Sequence, residues 1–319
     1  MKSLKVLVTA TNYAMYCVEA KRLLESNGVE VIENPHGRPL IREELLEAVK
    51  DIDGAVVGVD TWDDEIFQHA AKLKAMARFG VGVDNIDLES AKRRGIIVTN
   101  AKGLNSDAVA EHAIGLIFSC LRCIPSLNAS IRVGRWDRFM GQSIMGMTVG
   151  LIGFGDIAQK TAKKLNGFNV EIVAYDLYPN LEKAEELGVV ILPMDEVLKR
   201  ADIVSMHLPI LRETHHIMND TTFGVMKDGS YFINTARGAL VDEKALCRAL
   251  KSNKLRAAAT DVFEQEPVDF SNPLFGLSNF IATPHTAAET YAVYENVGLL
   301  TAQALLDIFK GIEPRNRMN

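Results

Sequence analysis

The stretch that decides the fold is Thr148-Val149-Gly150-Leu151-Ile152-Gly153-Phe154-Gly155-Asp156-Ile157-Ala158. It reads as a short β-branched strand, a glycine-rich turn and the first residues of a helix. Gly153 permits a tight turn, Gly155 removes a side chain where backbone meets ligand, and the small Ala158 lets helix and strand pack closely. The pattern is typical of the first strand–turn–helix unit of a nucleotide-binding sheet.

A helix that begins at this turn presents backbone N–H groups and a partial positive charge, both of which favour phosphate. The next apolar run, residues 170–175, ends at Asp176, which lies about 20 residues beyond the first glycine. A carboxylate at this distance meets the adenosine ribose hydroxyls and repels a 2′-phosphate. The glycine turn alone would also fit an ordinary tight strand–helix connection. Strand, turn, helix and acid together predict a site for NAD rather than NADP.

Length and composition bound the class of protein. The chain has 319 residues, of which 48% are hydrophobic and 24% charged, and this length favours two domains. The net charge of −6 provides no basic surface for nucleic acid. No segment approaches the ~20 apolar residues that cross a bilayer, so we expect no membrane partner. The apolar run near the N-terminus is broken at Thr9 and reads as a strand, not a signal peptide.

The cysteines favour a reducing compartment. There are four of them in the chain, and we therefore expect a cytoplasmic protein. Cys120 and Cys123 form a Cys-x-x-Cys in an apolar helical stretch, with no second pair nearby. We interpret them as buried core thiols rather than a metal or redox site, and we expect no metal.

Strand-like and helix-like stretches alternate in two separate sets. The first set of predicted strands is Lys5–Ala10, Val29–Glu33, Ala55–Val59, Lys74–Phe79 and Ile96–Asn100. The second set is Val149–Gly153, Glu171–Asp176, Val189–Leu192, Ile203–His207, Tyr231–Thr235, Ala257–Asp261 and Phe280–Thr283. The alternation predicts an α/β protein of two doubly wound parallel-sheet domains, a Rossmann NAD domain and a smaller flavodoxin-like substrate domain.

Two helical stretches define the predicted domain boundaries. One long helix is predicted from about Ser106 to Val133, and the final helix, Thr290–Lys310, is long enough to return to the first set. We therefore expect a discontinuous substrate (catalytic) domain of residues 1–101 and 290–319, and an NAD-binding domain of residues 102–289. The active site is expected in a cleft between them.

Three predicted strands of the second set are followed by residues suited to catalysis. Arg237 follows Tyr231–Thr235, and Glu266 and His285 follow the next two strands. Carboxyl ends of strands face the ligand crevice in such a sheet, so the three should converge beside the dinucleotide. Guanidinium clamps a carboxylate with two donors, histidine exchanges a proton, and a carboxylate fixes its tautomer. These are the groups that oxidation of a 2-hydroxy acid requires.

Each of these residues also fits a less specific interpretation. Arg237 could be a surface ion-pair partner, Glu266 a member of a solvated acidic loop, and His285 a buried core histidine. Their common placement after the nucleotide motif favours the catalytic interpretation.

The motifs together resemble the D-isomer-specific 2-hydroxyacid dehydrogenase family, and its phosphoglycerate dehydrogenase branch most. The resemblance is carried by Gly-Phe-Gly with Asp176, Asn-Thr-Ala-Arg-Gly at 234–238, Asp-Val-Phe-x-x-Glu-Pro at 261–267, Thr-Pro-His at 283–285, Arg78–Asp87, Asn105-Ser106 and Gly134–Trp136. It spans nearly the whole chain.

The resemblance implies roles for individual residues. His285 would be the acid/base, Glu266 its partner and Arg237 the clamp on substrate and transition state. The backbone of Gly80, Val81 and Gly82 would cradle the substrate carboxylate, and Val81 would also touch the nicotinamide. The further cofactor contacts that it implies are Gly153, Gly155, Asp156, Ile157, Asp176, Leu208, Ala236 and Asp261, of which Asp261 receives the nicotinamide carboxamide.

One departure concerns the substrate. Phosphoglycerate dehydrogenases that resemble this chain carry an arginine near Gly58 for the phosphate side, and Asp60 follows two residues later here. Phosphoglycerate itself is therefore left open. The cations that could replace this arginine are Lys102, Arg132, Arg135 and Arg138.

We expect an NAD-dependent D-2-hydroxyacid dehydrogenase, phosphoglycerate dehydrogenase-like, acting on a small 2-hydroxy or 2-keto acid. Reduction of hydroxypyruvate or glyoxylate is the alternative within the family. An NAD(H)-sensing, corepressor-like binding protein is the alternative from another class, although the chain keeps Arg237, Glu266 and His285. The segment around Trp136 is expected to build a homodimer.

Overall fold

The computed structural model describes residues 3–319, so the first two residues of the predicted substrate domain lie outside the described part. The chain divides into two compact units. Unit 1 comprises Met1–Asn105 and Glu289–Asn319, and unit 2 comprises Ser106–Ala288. The chain thus leaves unit 1 after Asn105 and re-enters it after Ala288.

Each unit is built on one parallel sheet. The strands of unit 1 are β1 (Leu4–Val8), β2 (Val29–Glu33), β3 (Gly54–Val57), β4 (Ala75–Arg78) and β5 (Ile97–Thr99). The strands of unit 2 are β6 (Thr148–Ile152), β7 (Glu171–Tyr175), β8 (Val190–Ile191), β9 (Ile203–Met206), β10 (Ser230–Asn234), β11 (Leu255–Thr260) and β12 (Phe280–Ala282).

Helices connect successive strands and cover the sheets. They are α1 (Tyr13–Tyr16), α2 (Val18–Ser26), α3 (Arg42–Ala48), α4 (Asp64–His69), α5 (Leu88–Arg93), α6 (Ser106–Arg122), α7 (Ile124–Arg132), α8 (Asp156–Leu165), α9 (Leu181–Leu187), α10 (Met194–Arg200), α11 (Asp220–Val225), α12 (Glu243–Lys251) and α13 (Tyr291–Phe309). Several begin at a side chain that accepts a backbone N–H of the first turn, as polar cap residues do. These caps are Asp63, Asp87, Asn180, Asn219, Asp242 and Thr290.

The five strands of unit 1 follow the order β2-β1-β3-β4-β5, with every neighbouring pair parallel. This is the flavodoxin-like order. Leu45 of α3 and Ile66 of α4 belong to the buried cluster on one face of the sheet. Leu24 of α2 and Leu305 of α13 belong to the cluster on the other face. The final helix therefore packs on the sheet formed by the first hundred residues.

The seven strands of unit 2 follow the order β12-β11-β10-β9-β6-β7-β8, again all parallel. The order reverses between β6 and β9, which is the switch point of a Rossmann sheet. Every residue of β6 is buried, as expected for a strand covered on both faces. Two separate buried clusters cover the two faces. The predicted fold class, two doubly wound parallel sheets, is confirmed.

The prediction of one long helix from Ser106 to Val133 is wrong. The chain forms α6 and α7, bent by 65° at Cys123, which adopts a left-handed conformation with φ 53°. The cause is Pro125, because proline has no N–H for the carbonyl of Leu121 and its ring collides with that carbonyl in a continuous helix. The freed Leu121 carbonyl accepts the Gln142 N–H instead, at 2.8 Å.

Within residues 3–319, no single helix combines the length and apolar character that crossing a bilayer requires. The bent pair α6 and α7 meets these two criteria only jointly. Many residues of α6 are buried in unit 2, as in the core helix of a globular protein.

Candidate active site

The glycine-rich turn after β6 lies directly against the end of β9. Gly153 has φ 101°, and a Cβ on it would stand 2.7 Å from the carbonyl carbon and oxygen of His207. Its N–H donates to Tyr175 O at 2.7 Å, so the turn is tied to β7 as well. Only glycine fits this conformation and this contact. The turn is therefore fixed at the switch point of the sheet.

The residues at the start of α8 fit a dinucleotide pyrophosphate. Gly155 caps this ten-residue helix, and a Cβ added to it would meet nothing within 4 Å. Open space therefore lies beside the first-turn N–H groups of Asp156 and Ile157, which have no intrahelical acceptor. Ala158, one residue later, is fully buried against the sheet. A side chain at position 155 would fill the space that a phosphate needs.

The carboxylate of Asp176 is held at the carboxyl end of β7. Oδ2 accepts the Phe154 N–H at 2.7 Å, and Oδ1 accepts the Tyr178 N–H at 2.8 Å. Each oxygen keeps a second lone pair for a ribose hydroxyl. The glycine turn and this acid are thus joined by a direct hydrogen bond, as a shared nucleotide site requires.

His207, which directly follows β9, is an uncharged histidine. Desolvation lowers the pKa of His207 to about 4, and its Nε2 lies 3.0 Å from Ser205 Oγ. The ring is therefore neutral at pH 7. Leu208, the next residue, is half-buried and packs against the core of unit 2.

Arg237 follows β10 in a turn that a buried amide holds. Asn234 is fully buried; its Nδ2 donates to Arg237 O at 2.9 Å, and its Oδ1 accepts the Ala236 N–H at 3.0 Å. The guanidinium is half-buried and donates from Nη1 to Ala236 O at 2.7 Å. The turn presents a positively charged fork at the carboxyl end of the sheet.

The structure brings His285 and Glu266 together. His285 Nδ1 lies 2.6 Å from Glu266 Oε2, and Glu266 Oε1 accepts the Phe263 N–H at 2.9 Å. An ionised carboxylate only accepts, so Nδ1 donates and Nε2 is left to exchange a proton. Among residues 3–319, no group hydrogen-bonds this Nε2.

The environment keeps Glu266 ionised. Burial, the largest single influence, raises its pKa, but the lowering influences together outweigh it; the hydrogen bond and charge of His285 are the largest of these, and the net pKa is lowered. The Phe263 N–H and the charge of Arg237 act in the same direction. The three predicted catalytic residues therefore form one electrostatic group, in which His285 and Arg237 both lower the pKa of the Glu266 carboxyl group.

Gly238 couples the loops that carry Arg237 and Glu266. A Cβ at this position would lie 1.9 Å from the carbonyl carbon of Phe263 and 2.0 Å from its oxygen. The backbone after Arg237 is thus in direct contact with the backbone that leads to Glu266. No other residue fits without moving one of these loops.

Gly238→Ala is expected to destabilise the protein by about 2–3 kcal/mol, because the added methyl group overpacks a closed contact. Turnover should fall as well, since Arg237 and Glu266 move apart. The matched control is Gly224→Ala in α11, where a Cβ meets nothing within 4 Å and alanine is the better helix former. Urea unfolding followed by circular dichroism measures both variants. Equal stability of the two would contradict the close approach.

Asp261, at the end of β11, is fully enclosed by the chain. It has no exposed surface, and its carboxylate accepts the Thr286 N–H at 2.9 Å and the Ala287 N–H at 2.8 Å. The Thr283 hydroxyl donates to the same carboxylate at 2.6 Å. Its role toward a nicotinamide carboxamide stays a prediction.

Sequence reasoning missed two polar residues of this region, Thr283 and His112. His112 Nε2 lies 3.1 Å from Thr283 Oγ1 and 3.6 Å from Asp261 Oδ1. Thr283 belongs to the Thr-Pro-His motif, which gave it no role of its own. No sequence pattern indicates a role for His112, because α6 and the residues after β12 are distant in sequence and meet only in the folded chain.

In unit 1, the loop of Gly80, Val81 and Gly82 turns its carbonyls inward. They accept the Ala101 N–H, Asn100 Nδ2 and Arg78 Nε at 2.8, 2.8 and 2.9 Å, respectively. Within the described residues, the N–H groups of Val81 and Gly82 have no acceptor. Backbone N–H groups without an acceptor can donate to an anion. The loop is suited to a substrate carboxylate.

Comparison with known proteins identifies the family of the chain. Residues 114–287 match the family model described as D-isomer specific 2-hydroxyacid dehydrogenase, NAD binding domain. The D-3-phosphoglycerate dehydrogenase of Archaeoglobus fulgidus is 41% identical over 304 residues, which cover 94% of this chain but 57% of that protein. The glyoxylate reductase of Thermococcus litoralis is 37% identical over 317 residues, which cover 93% of this chain and 95% of that protein.

Solved structures agree over the whole chain. The TT0316 protein from Thermus thermophilus has a TM-score of 0.90 at 34% identity, covering 99% of this chain and 100% of that one. The apo-structure of D-lactate dehydrogenase from Escherichia coli has a TM-score of 0.88 at 28% identity, covering 99% of each chain. The chain belongs to the D-isomer-specific 2-hydroxyacid dehydrogenase family, and residues 114–287 match the NAD-binding domain of that family.

Proposed function

We propose that this protein is an NAD-dependent D-2-hydroxyacid dehydrogenase, phosphoglycerate dehydrogenase-like, acting on a small 2-hydroxy or 2-keto acid. Residues 1–101 and 290–319 would be its substrate domain, and residues 102–289 its NAD-binding domain. The observation that carries the proposal is the 2.6 Å contact between His285 Nδ1 and Glu266 Oε2, next to the charge of Arg237.

Each catalytic residue has a task that its geometry supports. Bound NAD supplies the acceptor or donor for the hydride at substrate C2. His285 Nε2 removes the C2 hydroxyl proton during oxidation and returns it to the carbonyl oxygen during reduction. Glu266 holds the ring by Nδ1 and stabilises the imidazolium. Arg237 clamps the substrate carboxylate and the C2 oxygen.

The cofactor preference has a direct test at Asp176. Replacement with alanine removes the charge that repels a 2′-phosphate, so the preference for NADH over NADPH should fall. Initial rates with both cofactors measure the ratio of kcat/KM. Glu182→Ala, in the first turn of α9, removes a similar charge elsewhere and serves as the control. An unchanged preference in Asp176→Ala would mean that another group contacts the ribose.

A second candidate activity within the family is reduction of glyoxylate or hydroxypyruvate. Gly58 supplies no cation, and a Cβ there would lie 3.1 Å from Ala10 Cα and Thr9 O, a contact that also crowds any larger residue. The nearby Asp60 is buried and accepts the Leu40 N–H at 2.7 Å. An acid and a glycine at the carboxyl end of β3 favour a substrate without a phosphate.

Two of the four cations that could replace the missing arginine already have partners within the chain. Arg135 Nε lies 3.0 Å from Asp137 Oδ2, and Arg132 Nε donates to Asn128 Oδ1 at 3.2 Å. Lys102 and Arg138 are exposed. The contacts of Arg135 and Arg132 weaken the case for a dedicated phosphate site, because they occupy these two side chains.

An initial-rate screen tests the proposed function. It compares NAD(H) and NADP(H) with D- and L-hydroxy acids and with glyoxylate, hydroxypyruvate and 3-phosphoglycerate. We expect turnover of at least one D-2-hydroxy or 2-keto acid with the NAD cofactor. Absence of all turnover, alongside tight NADH binding, would favour the NAD-sensing protein instead.

We also propose a homodimer in the cytoplasm. Trp136 and Met140 are 82% and 88% exposed, and Val133 and Phe139 are exposed beside them. Apolar patches of this kind mark contact surfaces between proteins. The four cysteines are unpaired, which supports a reducing compartment.

A further inference from the structure

We propose that His112 of α6 is a positioning residue for His285, acting through Thr283 and Asp261. The inference rests on the proposed function, because it takes His285 as the acid/base. The polar partners of the His112 ring are Thr283 and Asp261, and both belong to the segment of chain that supports His285. Its effect on catalysis would therefore pass through these two residues.

The carboxylate of Asp261 gathers the turn that carries His285. Besides the N–H groups of Thr286 and Ala287, it accepts the Thr283 hydroxyl, so it binds residues on both sides of His285. The Asp261 carbonyl accepts the N–H of His285 itself, at 2.7 Å. A fully buried carboxylate must keep such partners, because losing one costs far more than an exposed hydrogen bond. The conformation of the turn at residues 283–287 therefore depends on the hydrogen bonds of the Asp261 carboxylate.

The turn needs this support because His285 is strained. Its φ is 55°, in the left-handed region that residues with a Cβ rarely adopt. Such a conformation persists only where surrounding interactions determine it. Loosening the Asp261 network would therefore let the backbone of His285 relax, and its ring would move away from the reacting position.

The hydrogen bonds around Thr283 indicate that His112 Nε2 is a donor. The Thr283 hydroxyl has one hydrogen, and it donates this hydrogen to Asp261 Oδ1 at 2.6 Å, on a carboxylate that also accepts two backbone N–H groups. His112 Nε2, 3.1 Å from Thr283 Oγ1, therefore faces a lone pair and must donate. His112 carries its proton on Nε2 and fixes the rotation of the Thr283 hydroxyl. Hydrogen bonds in such a chain strengthen one another.

The test compares two substitutions that differ in the donor. His112→Leu removes it, whereas His112→Gln places an amide N–H near the former Nε2. We expect His112→Leu to lower kcat about 10- to 100-fold, since small misplacements of catalytic groups have effects of this size. NADH affinity should stay within about threefold, which separates turnover from binding. His69→Leu, at an exposed site on α4, is the matched control and should leave kcat unchanged.

Each outcome supports or overturns the proposal. Recovery of most of kcat in His112→Gln supports it, with thermal midpoints recorded to compare folding of the variants. Wild-type kcat in His112→Leu, or an equal loss in both variants, overturns it. The effects of His112→Leu and Thr283→Val should be clearly non-additive, because both break one chain of contacts. Additive effects would exclude the route through Thr283.

One readout does not depend on activity. Long-range ¹⁵N–¹H spectra of the imidazoles should show His112 with Nε2 protonated, and an unprotonated Nε2 would overturn the proposal. The proposed function is judged separately by wild-type turnover in the substrate screen. If the wild type turns over and His112→Leu does so with wild-type kcat, only the positioning role fails.

Discussion

Replacement of His285 with alanine is expected to lower kcat about 10²- to 10⁴-fold, the usual contribution of a positioned acid/base. NADH affinity should stay within about tenfold, because the proposed pyrophosphate and ribose contacts lie at β6, β7 and α8 rather than at the turn after β12. Glu266→Gln should cause a smaller loss. The amide keeps an acceptor for Nδ1, but the charge that stabilises the imidazolium is gone.

The measurement is single-turnover NADH oxidation with the best 2-keto acid of the screen, with NADH binding followed by fluorescence. His69→Ala provides the control, as an exposed imidazole without a proposed role. Wild-type turnover in His285→Ala would reject the assigned proton transfer. Loss of NADH binding in step with turnover would show instead that the substitution damages the cofactor site.

Arg237→Gln is expected to lower kcat/KM about 10²- to 10³-fold, as removal of a single transition-state donor does. Arg237→Lys should recover only part of this loss, because an ammonium keeps the charge but not the planar two-pronged donor set. The effect should appear in KM as well as kcat, since the clamp holds the substrate carboxylate in the ground state too.

Arg256→Gln is the matched control, because Arg256 is exposed on β11 and is assigned no role in the site. Both variants are assayed with the same substrate over a full concentration range. A loss in Arg237→Gln no larger than in Arg256→Gln would remove Arg237 from the account. A loss fully recovered by lysine would reduce its role to that of a simple point charge.

Periodicity was sufficient to predict most of the fold. The predicted strands agree with the observed ones to within about two residues, because runs buried on both faces are continuously apolar and end at turn residues. The single helix over α6 and α7 failed for a local reason. Apolar composition continues through Cys123, but Pro125 removes one hydrogen bond of the helix and forces the 65° bend.

The candidate site was predictable where chemistry follows strand ends. Sheet topology places Arg237, Glu266 and His285 at the carboxyl ends of the strands. Their guanidinium, carboxylate and imidazole groups indicate the chemistry of the site. The contact of Gly238 with Phe263 depends on how two loops pack, which no spacing encodes. His112 and Thr283 are 171 residues apart in sequence and meet only because α6 crosses the end of the sheet near β12. The roles of all these residues stay predictions until variants are measured.

The most direct test of the proposed reaction is chiral analysis of the product formed from NADH and the best 2-keto acid of the screen other than glyoxylate, whose product is achiral. The proposed clamp at Arg237 and proton donor at His285 would fix which face of the carbonyl meets the nicotinamide. We expect the D-2-hydroxy acid alone. The L isomer, a racemic product, or no product from a protein that binds NADH would contradict it.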